Sequence, residues 1–491
     1  MPASLLSTAI RWLGLVLLLN ANANAAAAEL RLTPCELTGS QNSGRVSADC
    51  GTLQVAENPD DPDGKQLDLF VARIPALSPE PAADALTIIN GGPGASSVSL
   101  YVDLQHAFAS VLRERDIVLL DQRGTGRSGA LDCPMLESAV DTYAEDLVMQ
   151  ATRQCLEGLE NDPRYFTTSV AVKDLEALRQ VLGYQQWNLY GVSYGTRVAQ
   201  HYVRRYPQSV RTLIIDGVVA PEDFLGPDIA LNAQRTLDAL LDRCSEESGC
   251  ASAFPRLHQQ LETLSVQLKD NPLQLQQADP ATGRVTPFEF TYPHLASTLR
   301  LLSYAPETAS LIPLMISEAS EHDNFVPLAS QAMRIEKQIS GSISFGMHNS
   351  VVCTEDVPFY GDLADRWREL DATYLGRDQV QALQTICKVW PSGPLDEDFK
   401  QALNSQVPAL LLSGEFDPVT PPEYAHRAAA GFDDHLELIA RGQGHGVAGR
   451  GCMPQVIGDF IATGSLEELE TACIERMQPQ PFFVDLLGPR P

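Results

Sequence analysis

A serine in a tight turn is the first residue of this chain whose setting predicts chemistry. The pentapeptide GVSYG, residues 191–195, lies between an apolar segment at 187–190 and a segment of helical periodicity at 196–203. A G-x-S-x-G sequence between a strand and a helix is the pattern of a nucleophile elbow. Such a turn leaves no room for side chains two residues either side of the serine, so both positions are glycine. The pattern predicts that Ser193 is a nucleophile at a helix N-terminus, where free amides favour negative charge.

A serine hydroxyl needs a base and a group that orients the base, and two later segments supply candidates. Asp417 follows one apolar run, and His445 lies in a glycine-rich loop after the next. On this interpretation His445 accepts the proton of Ser193, while Asp417 holds the imidazole tautomer and stabilises the imidazolium. Glu415 is the nearby alternative to Asp417. The chain order serine, aspartate, histidine is the order found in α/β hydrolases.

The segment NGGPGA, residues 90–95, follows another apolar run and predicts an oxyanion hole. Acyl transfer needs N–H donors aimed at the tetrahedral oxyanion, and each is worth about 3–4 kcal/mol. Pro93 has no N–H. The sequence therefore predicts the amides of Gly92 and Tyr194 as the two donors.

Short apolar runs alternate with helical patterns around these motifs. Such alternation predicts a doubly wound, mostly parallel α/β sheet, and the helical pattern at 170–182 is one of its predicted flanking helices. Residues 29–82 instead contain turn formers that favour an antiparallel hairpin or meander. The predicted parallel strands are at 85–89, 117–120, 187–190, 213–215, 409–412 and 436–439.

The sequence divides into four predicted segments: a signal peptide, two parts of the core and a cap between those parts. In residues 1–28, Arg11 precedes an apolar run too short to span a bilayer and an alanine-rich region, which is the layout of a secretory signal peptide. The mature protein is therefore expected to be exported, to the periplasm or the medium, with no membrane span. The stretch at 220–395 is mainly helical in pattern and predicts a cap over the strand ends, where open α/β sheets bind ligands. The core is predicted in two parts, at 29–219 and 396–491.

The net charge and the cysteine content further limit the functions that the protein can have. The 491-residue chain carries a formal net charge of −28, which disfavours binding to nucleic acid and to anionic membrane surfaces. In an exported protein, ten cysteines predict disulfides. No CxxC occurs, so no zinc site is predicted, and the site residues imply no metal or organic cofactor. Sequence leaves the connectivity open; pairing of neighbours gives Cys35 with Cys50, Cys133 with Cys155, Cys244 with Cys250, Cys353 with Cys387, and Cys452 with Cys473.

Three motifs together resemble one known family. NGGPG (90–94), DQRGTGRS (121–128) and GVSYG (191–195) are similar to the α/β-hydrolase serine peptidases that include proline iminopeptidases and tripeptidyl aminopeptidases. The Asp417 and His445 segments match the C-terminal motifs of that family, so the resemblance covers most of the mature chain. It implies an α/β-hydrolase fold with a helical cap.

Two positions refine the resemblance. Asp121 and Arg123 lie in the block that shapes the active-site floor in this family, where the resemblance implies a structural role. Proline iminopeptidases usually carry histidine where this chain has Asn90. That departure, together with the predicted export and the cysteines, favours the tripeptidyl aminopeptidase branch.

The resemblance implies a peptidase that cleaves near free N-termini through an acyl-enzyme on Ser193. It also implies an anionic pocket for the ammonium group of a peptide substrate. Glu355 and Asp356 are the first candidates for that pocket, although a solvated acidic turn is an equal alternative, and Glu222 and Asp223 come second. A carboxylesterase, lipase or amidase with the same triad stays open, as does a catalytically silent binding protein. The number of residues released, the preference for proline and the oligomeric state are not determined.

Overall fold

The structure is a computed structural model that describes residues 30–40, 43–134, 144–339 and 341–489. The predicted signal peptide lies outside the described residues. Within them, every helix is too short or too polar to cross a membrane.

Nine strands of the described residues form one mixed sheet. Its spatial order is β1-β2-β3-β5-β4-β6-β7-β10-β11, and a separate hairpin pairs β8 with β9. Six neighbouring strands of the sheet run parallel, whereas β1, β2 and β3 form an antiparallel edge. The parallel strands are β5, β4, β6, β7, β10 and β11. The strands are β1 (Thr33–Thr38), β2 (Arg45–Ala56), β3 (Gln66–Ile74), β4 (Ala85–Ile89), β5 (Ile117–Leu120), β6 (Trp187–Val192), β7 (Val210–Asp216), β8 (Leu273–Ala278), β9 (Val285–Phe290), β10 (Ala409–Gly414) and β11 (His435–Ala440).

The central strands are buried along their whole length. Every residue of β4, β5, β6 and β10 is buried, because helices cover both faces of the sheet. Side chains of successive residues in β7 lie on opposite faces of the sheet. Leu213 and Ile215 pack into the apolar cluster on one face, and Ile214 packs into the cluster on the other. The predicted parallel α/β sheet and its antiparallel N-terminal edge are confirmed.

Helices α1 and α16 pack on one face of the sheet, and α3, α4 and α15 pack on the other. This sandwich of helices around a parallel sheet is the architecture of the α/β-hydrolase fold. In chain order the helices are α1 (Ser97–Leu104), α2 (Glu145–Gly158), α3 (Thr168–Leu182), α4 (Tyr194–Arg205), α5 (Pro227–Glu246), α6 (Ser248–Ala253), α7 (Leu257–Asp270), α8 (Tyr292–Leu302), α9 (Pro306–Ala309), α10 (Ile312–His322), α11 (Val326–Ile339), α12 (Phe345–Glu355), α13 (Trp367–Asp371), α14 (Asp378–Cys387), α15 (Pro422–Ala429), α16 (Met453–Thr463) and α17 (Ala472–Glu475).

The chain between β7 and β10 forms a layer with its own apolar cluster, built from α5, α7, α8, α10 and α11. It also contains the β8–β9 hairpin, which the sequence analysis missed. Residues 273–276 alternate apolar and polar side chains, but the run is short and its polar side chains are exposed. Helical periodicity on both sides masks so weak a period-2 signal.

All ten cysteines are paired in the structure. Each bonds to its neighbour along the chain, which is the pairing assumed from the sequence. The Cys353–Cys387 bond joins α12 to α14.

Candidate active site

Ser193 lies between β6 and α4 in a strained conformation. Its φ is 56° and its ψ is −127°, a region that L-residues rarely occupy. A Cβ on Gly195 would lie 2.2 Å from the carbonyl oxygen of Ile89, and one on Gly191 would lie 2.4 Å from the carbonyl oxygen of Gly195. The turn therefore excludes side chains at both glycine positions, for the steric reason that the sequence analysis gave.

His445 is hydrogen-bonded to a buried carboxylate. Its Nδ1 lies 2.7 Å from Oδ2 of Asp417, whose side chain has no exposed surface. The other carboxylate oxygen accepts the main-chain N–H groups of Val419 and Thr420, both at 2.9 Å, and the Thr420 hydroxyl donates to Oδ2 at 2.8 Å. Glu415, the alternative acid, instead accepts the N–H of Gly442 at 2.7 Å. The geometry therefore makes Asp417 the partner of the imidazole.

The protonation of His445 follows from this pairing. Burial alone lowers the pKa of His445, but the Asp417 carboxylate outweighs it and the net pKa is raised above the ordinary value. A hydrogen bond from Nδ1–H to the carboxylate leaves Nε2 as the basic nitrogen. The ring is thus suited to accept a proton at Nε2.

Asp216, at the end of β7, connects the serine turn to the histidine loop. Its carbonyl oxygen accepts the N–H of Ser193 at 2.9 Å. Its buried carboxylate accepts the N–H groups of Val447 and Ala448, both at 2.8 Å, and the hydroxyl of Tyr190 at 2.9 Å. Burial raises the pKa of Asp216 to about 6, against these donors. Sequence analysis missed this residue, although an aspartate ending a buried apolar run is an available signal.

Gly217 allows His445 and Thr420 to approach the end of β7 closely. A Cβ on Gly217 would lie 3.0 Å from Cε1 of His445 and 3.0 Å from Oγ1 of Thr420. From the opposite side, the carbonyl oxygen of Tyr304 accepts the N–H of His445 at 2.8 Å, and the Tyr304 ring meets the imidazole edge-on with centroids 5.2 Å apart. In the part of the chain that the structure describes, no hydrogen bond joins the Ser193 hydroxyl to His445. Such contacts are often long in ligand-free enzymes and tighten when substrate binds.

The two predicted oxyanion donors flank the serine. A Cβ on Gly91 would lie 2.7 Å from Cβ of Ser193, so the loop that carries Gly92 passes directly over the nucleophile. Across the described residues, neither Gly92 nor Tyr194 donates its amide hydrogen to a protein acceptor. Asn90 shapes the loop by accepting the N–H of Gly91 at 2.7 Å and donating its side-chain amide to a carbonyl oxygen of the same loop. The arrangement leaves two amides available to an oxyanion.

The DQRGTGRS block forms buried structure beside this loop. Asp121 accepts the hydroxyl of Ser96 at 2.7 Å and the N–H of Arg127 at 3.0 Å. Arg123 makes a two-point contact with Asp174, at 2.6 and 2.7 Å, and is 1% exposed. Both residues are therefore committed to internal contacts.

Glu355 and Asp356, the first candidates for the ammonium pocket, are both enclosed, with no exposed surface. Glu355 accepts both the N–H and the hydroxyl of Thr168, at 2.7 and 2.9 Å. Asp356 accepts two hydrogen bonds from Arg197, at 2.8 and 3.2 Å, and lies 3.6 Å from Nζ of Lys400. The structure thus places them in an internal ion cluster with the buried Arg197 and the partly exposed Lys400, and not at a ligand surface.

The second candidates lie elsewhere. Glu222 is exposed, whereas Asp223 forms an ion pair with Arg427 and accepts the N–H of Ala220 at 3.1 Å. Neither residue contacts the Ser193 turn through a hydrogen bond within the described chain. The geometry therefore assigns no carboxylate to a substrate ammonium group.

Two family models match the sequence. The model described as alpha/beta hydrolase fold matches residues 84–253, and the model described as TAP-like protein matches residues 372–473. The first match includes Ser193, and the second includes Asp417 and His445. The chain has the α/β-hydrolase fold. Its C-terminal part is similar to TAP-like proteins, as the resemblance of its motifs implied.

Relatives of this α/β hydrolase have modest identity over most of its length. The serine protease Hip1 of Mycobacterium tuberculosis is 24% identical over 485 residues, which cover 90% of each chain. The tripeptidyl aminopeptidase of Streptomyces lividans is 25% identical over 470 residues, covering 88% of this chain and 84% of the relative. Carboxylesterase B of M. tuberculosis is 28% identical over 419 residues, covering 76% of each. The chain is a serine hydrolase, and the relatives that it resembles include proteins named as a serine protease and a tripeptidyl aminopeptidase.

Proposed function

We propose that this protein is an exported serine aminopeptidase that cleaves peptides near their free N-termini. The observation that carries the proposal is the convergence of three distant segments. Ser193 donates its N–H to Asp216, the next residue Gly217 lies against the ring of His445, and Asp417 holds the imidazole at 2.7 Å. Such an arrangement suits acyl transfer through a serine ester.

In the proposed reaction, His445 Nε2 accepts the proton of the Ser193 hydroxyl as Oγ attacks the scissile carbonyl carbon. The amides of Gly92 and Tyr194 donate hydrogen bonds to the tetrahedral oxyanion. The imidazolium, stabilised by Asp417, protonates the leaving amine as the C–N bond breaks. Water then attacks the serine ester with His445 again as the base, and the N-terminal fragment leaves as a carboxylic acid.

Support for a peptidase comes from the relatives. Hip1 is named a serine protease and the Streptomyces lividans protein a tripeptidyl aminopeptidase, and the TAP-like match spans the acid and base segments. Export is supported by the predicted signal peptide and by ten cysteines paired in five disulfides. We further propose that residues 220–395 form the cap that limits access to Ser193.

A carboxylesterase is the second candidate, because carboxylesterase B is 28% identical to this chain and esters and amides need the same catalytic groups. Free-amine tripeptidyl anilides, their N-acetylated forms and p-nitrophenyl acyl esters separate the two. The aminopeptidase proposal predicts rapid hydrolysis of the free-amine anilides and little of the blocked ones. Equal rates on blocked and free anilides, or turnover of esters alone, would reject it.

The cleavage register is measured on a defined peptide. Mass spectrometry of the products from a free-amine decapeptide gives the length of the released fragment directly. A ladder of tripeptides is expected for the tripeptidyl type and single residues for the proline iminopeptidase type. Internal cuts with no relation to the N-terminus would contradict both.

A further inference from the structure

Helix α12 packs against the apolar cluster of the sheet through Met347 and Val351, and its N-terminal end supports the loop of the first proposed oxyanion donor. Ser344, directly before the helix, donates its N–H to the carbonyl oxygen of Gly94 at 3.0 Å. Ile343 pairs with Ala95 in an antiparallel bridge. A Cβ on Gly94 would lie 2.7 Å from the carbonyl oxygen of Ser344. The loop carrying Gly92 is therefore packed tightly on the start of α12.

The other end of α12 reaches the second donor. Oε2 of Glu355 accepts the hydroxyl of Thr168 at 2.9 Å, and the Thr168 oxygen lies 2.7 Å from the hydroxyl of Tyr194. Because Thr168 donates to the carboxylate, the tyrosine must donate to Thr168. The side-chain amide of Gln122 completes the set by donating to the Tyr194 hydroxyl at 3.2 Å. All the hydrogen bonds in this chain have one consistent direction.

An ion cluster attaches the same end of α12 to the nucleophile helix α4. Arg197, one turn after Tyr194, pairs with Asp356 at 2.8 Å and lies 3.5 Å from Glu355. The guanidinium and both carboxylates have side-chain exposures of 2% or less. Burial raises the pKa of Glu355, while Arg197 acts to lower it. As a carboxylate beside Arg197, Glu355 is the anionic acceptor that the hydrogen-bond chain requires.

We propose that α12 is a positioning element for the oxyanion hole, in which Glu355, through Thr168, orients Tyr194 so that its amide faces the oxyanion. Tyr194 is the first residue of α4 and follows the strained Ser193, so its N–H has no acceptor within the helix. Fixing the phenol at its hydroxyl restrains the residue that carries the donor. This role rests on the proposed acyl-transfer function of Ser193.

A purely structural role for Glu355 predicts different behaviour. Its carboxylate also accepts the N–H of Thr168, the first residue of α3, where an anion stabilises the helix N-terminus. Loss of that cap lowers stability but leaves the rate per folded active site unchanged. The two roles are therefore separated by measuring the turnover number and the melting temperature on the same variants.

The experiment compares Thr168→Val, Thr168→Ser and Tyr194→Phe with matched controls. Tyr202→Phe removes a buried hydroxyl on the same helix that donates to a carboxylate at 2.6 Å, and Thr152→Val removes a buried threonine hydroxyl in α2. Each variant is titrated with a fluorophosphonate. Then kcat and KM are measured on a tripeptidyl anilide and on a p-nitrophenyl ester, with the inhibition constant of a peptide boronate and the melting temperature.

The proposal predicts that Thr168→Val and Tyr194→Phe lower kcat per titrated site about tenfold on both substrates, part of the 10²–10³-fold loss that follows removal of a donor. The boronate inhibition constant rises by the same factor, KM stays unchanged, and Thr168→Ser restores the rate. The two controls keep the wild-type kcat. Unchanged kcat in Thr168→Val, or equal losses in the controls, overturns the proposal.

The wild-type protein separates this result from a failure of the proposed function. Turnover of the ester without the anilide rejects the aminopeptidase but still tests the positioning role on the ester. A wild-type protein that is inert to both substrates and to the fluorophosphonate overturns both proposals, since no oxyanion would then form at Ser193.

Discussion

Asp417→Asn is expected to give a folded protein that has lost nearly all of its activity. Oδ1 of Asp417 accepts two main-chain N–H groups, from Val419 and Thr420. In the variant the amide oxygen must occupy that position, because an NH₂ group there would face two donors. The NH₂ group then faces Nδ1 of His445 in place of Oδ2. It donates to Nδ1 and forces the proton of the neutral ring onto Nε2.

This tautomer cannot accept the proton of Ser193 at Nε2. In the serine protease triad, the corresponding change lowers kcat about 10⁴-fold, which equals about 5.5 kcal/mol of activation free energy at 1.36 kcal/mol per tenfold. We expect a loss of that size in kcat for Asp417→Asn, with KM changed only slightly.

The assay is steady-state hydrolysis of a tripeptidyl anilide, with urea unfolding to confirm that the variant is folded. Glu415→Gln is the matched control, because Glu415 is two residues away but, among the described residues, accepts one hydrogen bond, from the N–H of Gly442. It should keep kcat within a few-fold of wild type. The reasoning is refuted if Asp417→Asn keeps more than a tenth of the activity, or if Glu415→Gln loses as much.

Three further predictions follow from the fold and the site. Gly195→Ala should lower the free energy of unfolding, measured by urea, by about 3 kcal/mol, because the new Cβ would lie 2.2 Å from a carbonyl oxygen of β4. Gly158→Ala, whose Cβ would meet open space, should leave the free energy of unfolding unchanged, and equal effects of the two variants would contradict the clash. The acid limb of the pH profile of kcat/KM should lie above pH 6.5, since the net pKa of His445 is raised from that ordinary value, and a limb below pH 6 would count against the pairing of His445 with Asp417. The contribution of His445 to stability is full below pH 6.5 and is lost as the pH rises through the pKa of the folded state. Replacing Cys353 and Cys387 by serine opens a loop of 34 residues and should cost about 3–4 kcal/mol on the chain-entropy estimate; an unchanged melting temperature would show that the cross-link does not stabilise the fold.

Much of the core could be predicted from local pattern. The apolar runs at 85–89 and 117–120 coincide with β4 and β5, since a strand buried on both faces needs apolar side chains at every position. The pattern at 170–182 predicted α3, which begins two residues earlier at Thr168. Its first N–H is accepted by Glu355, a partner 187 residues away that no local rule reveals.

The candidate site likewise contains some residues that local patterns predicted and others that they did not. Glycine spacing around Ser193 indicated the turn because its steric demand is local, and the order of Asp417 and His445 followed from loops after successive apolar runs. The interpretation of Glu355 and Asp356 as a pocket for the substrate ammonium group had no such support. A carboxylate next to a cysteine has the same sequence pattern whether it faces solvent or a buried arginine.

By itself, then, the sequence determined the parallel sheet, the serine turn and the residue types available for acyl transfer. These depend on periodicity and on steric limits that act within a few residues. Only the tertiary structure decided that Asp216 connects Ser193 to the histidine loop, 231 residues further along the chain. It also decided that the start of α12 lies beside the loop of Gly92 and that its end is linked to Tyr194 through Thr168. Such contacts depend on how strands and helices pack, and burial and hydrogen-bond partners at that range have no signature in the order of residues.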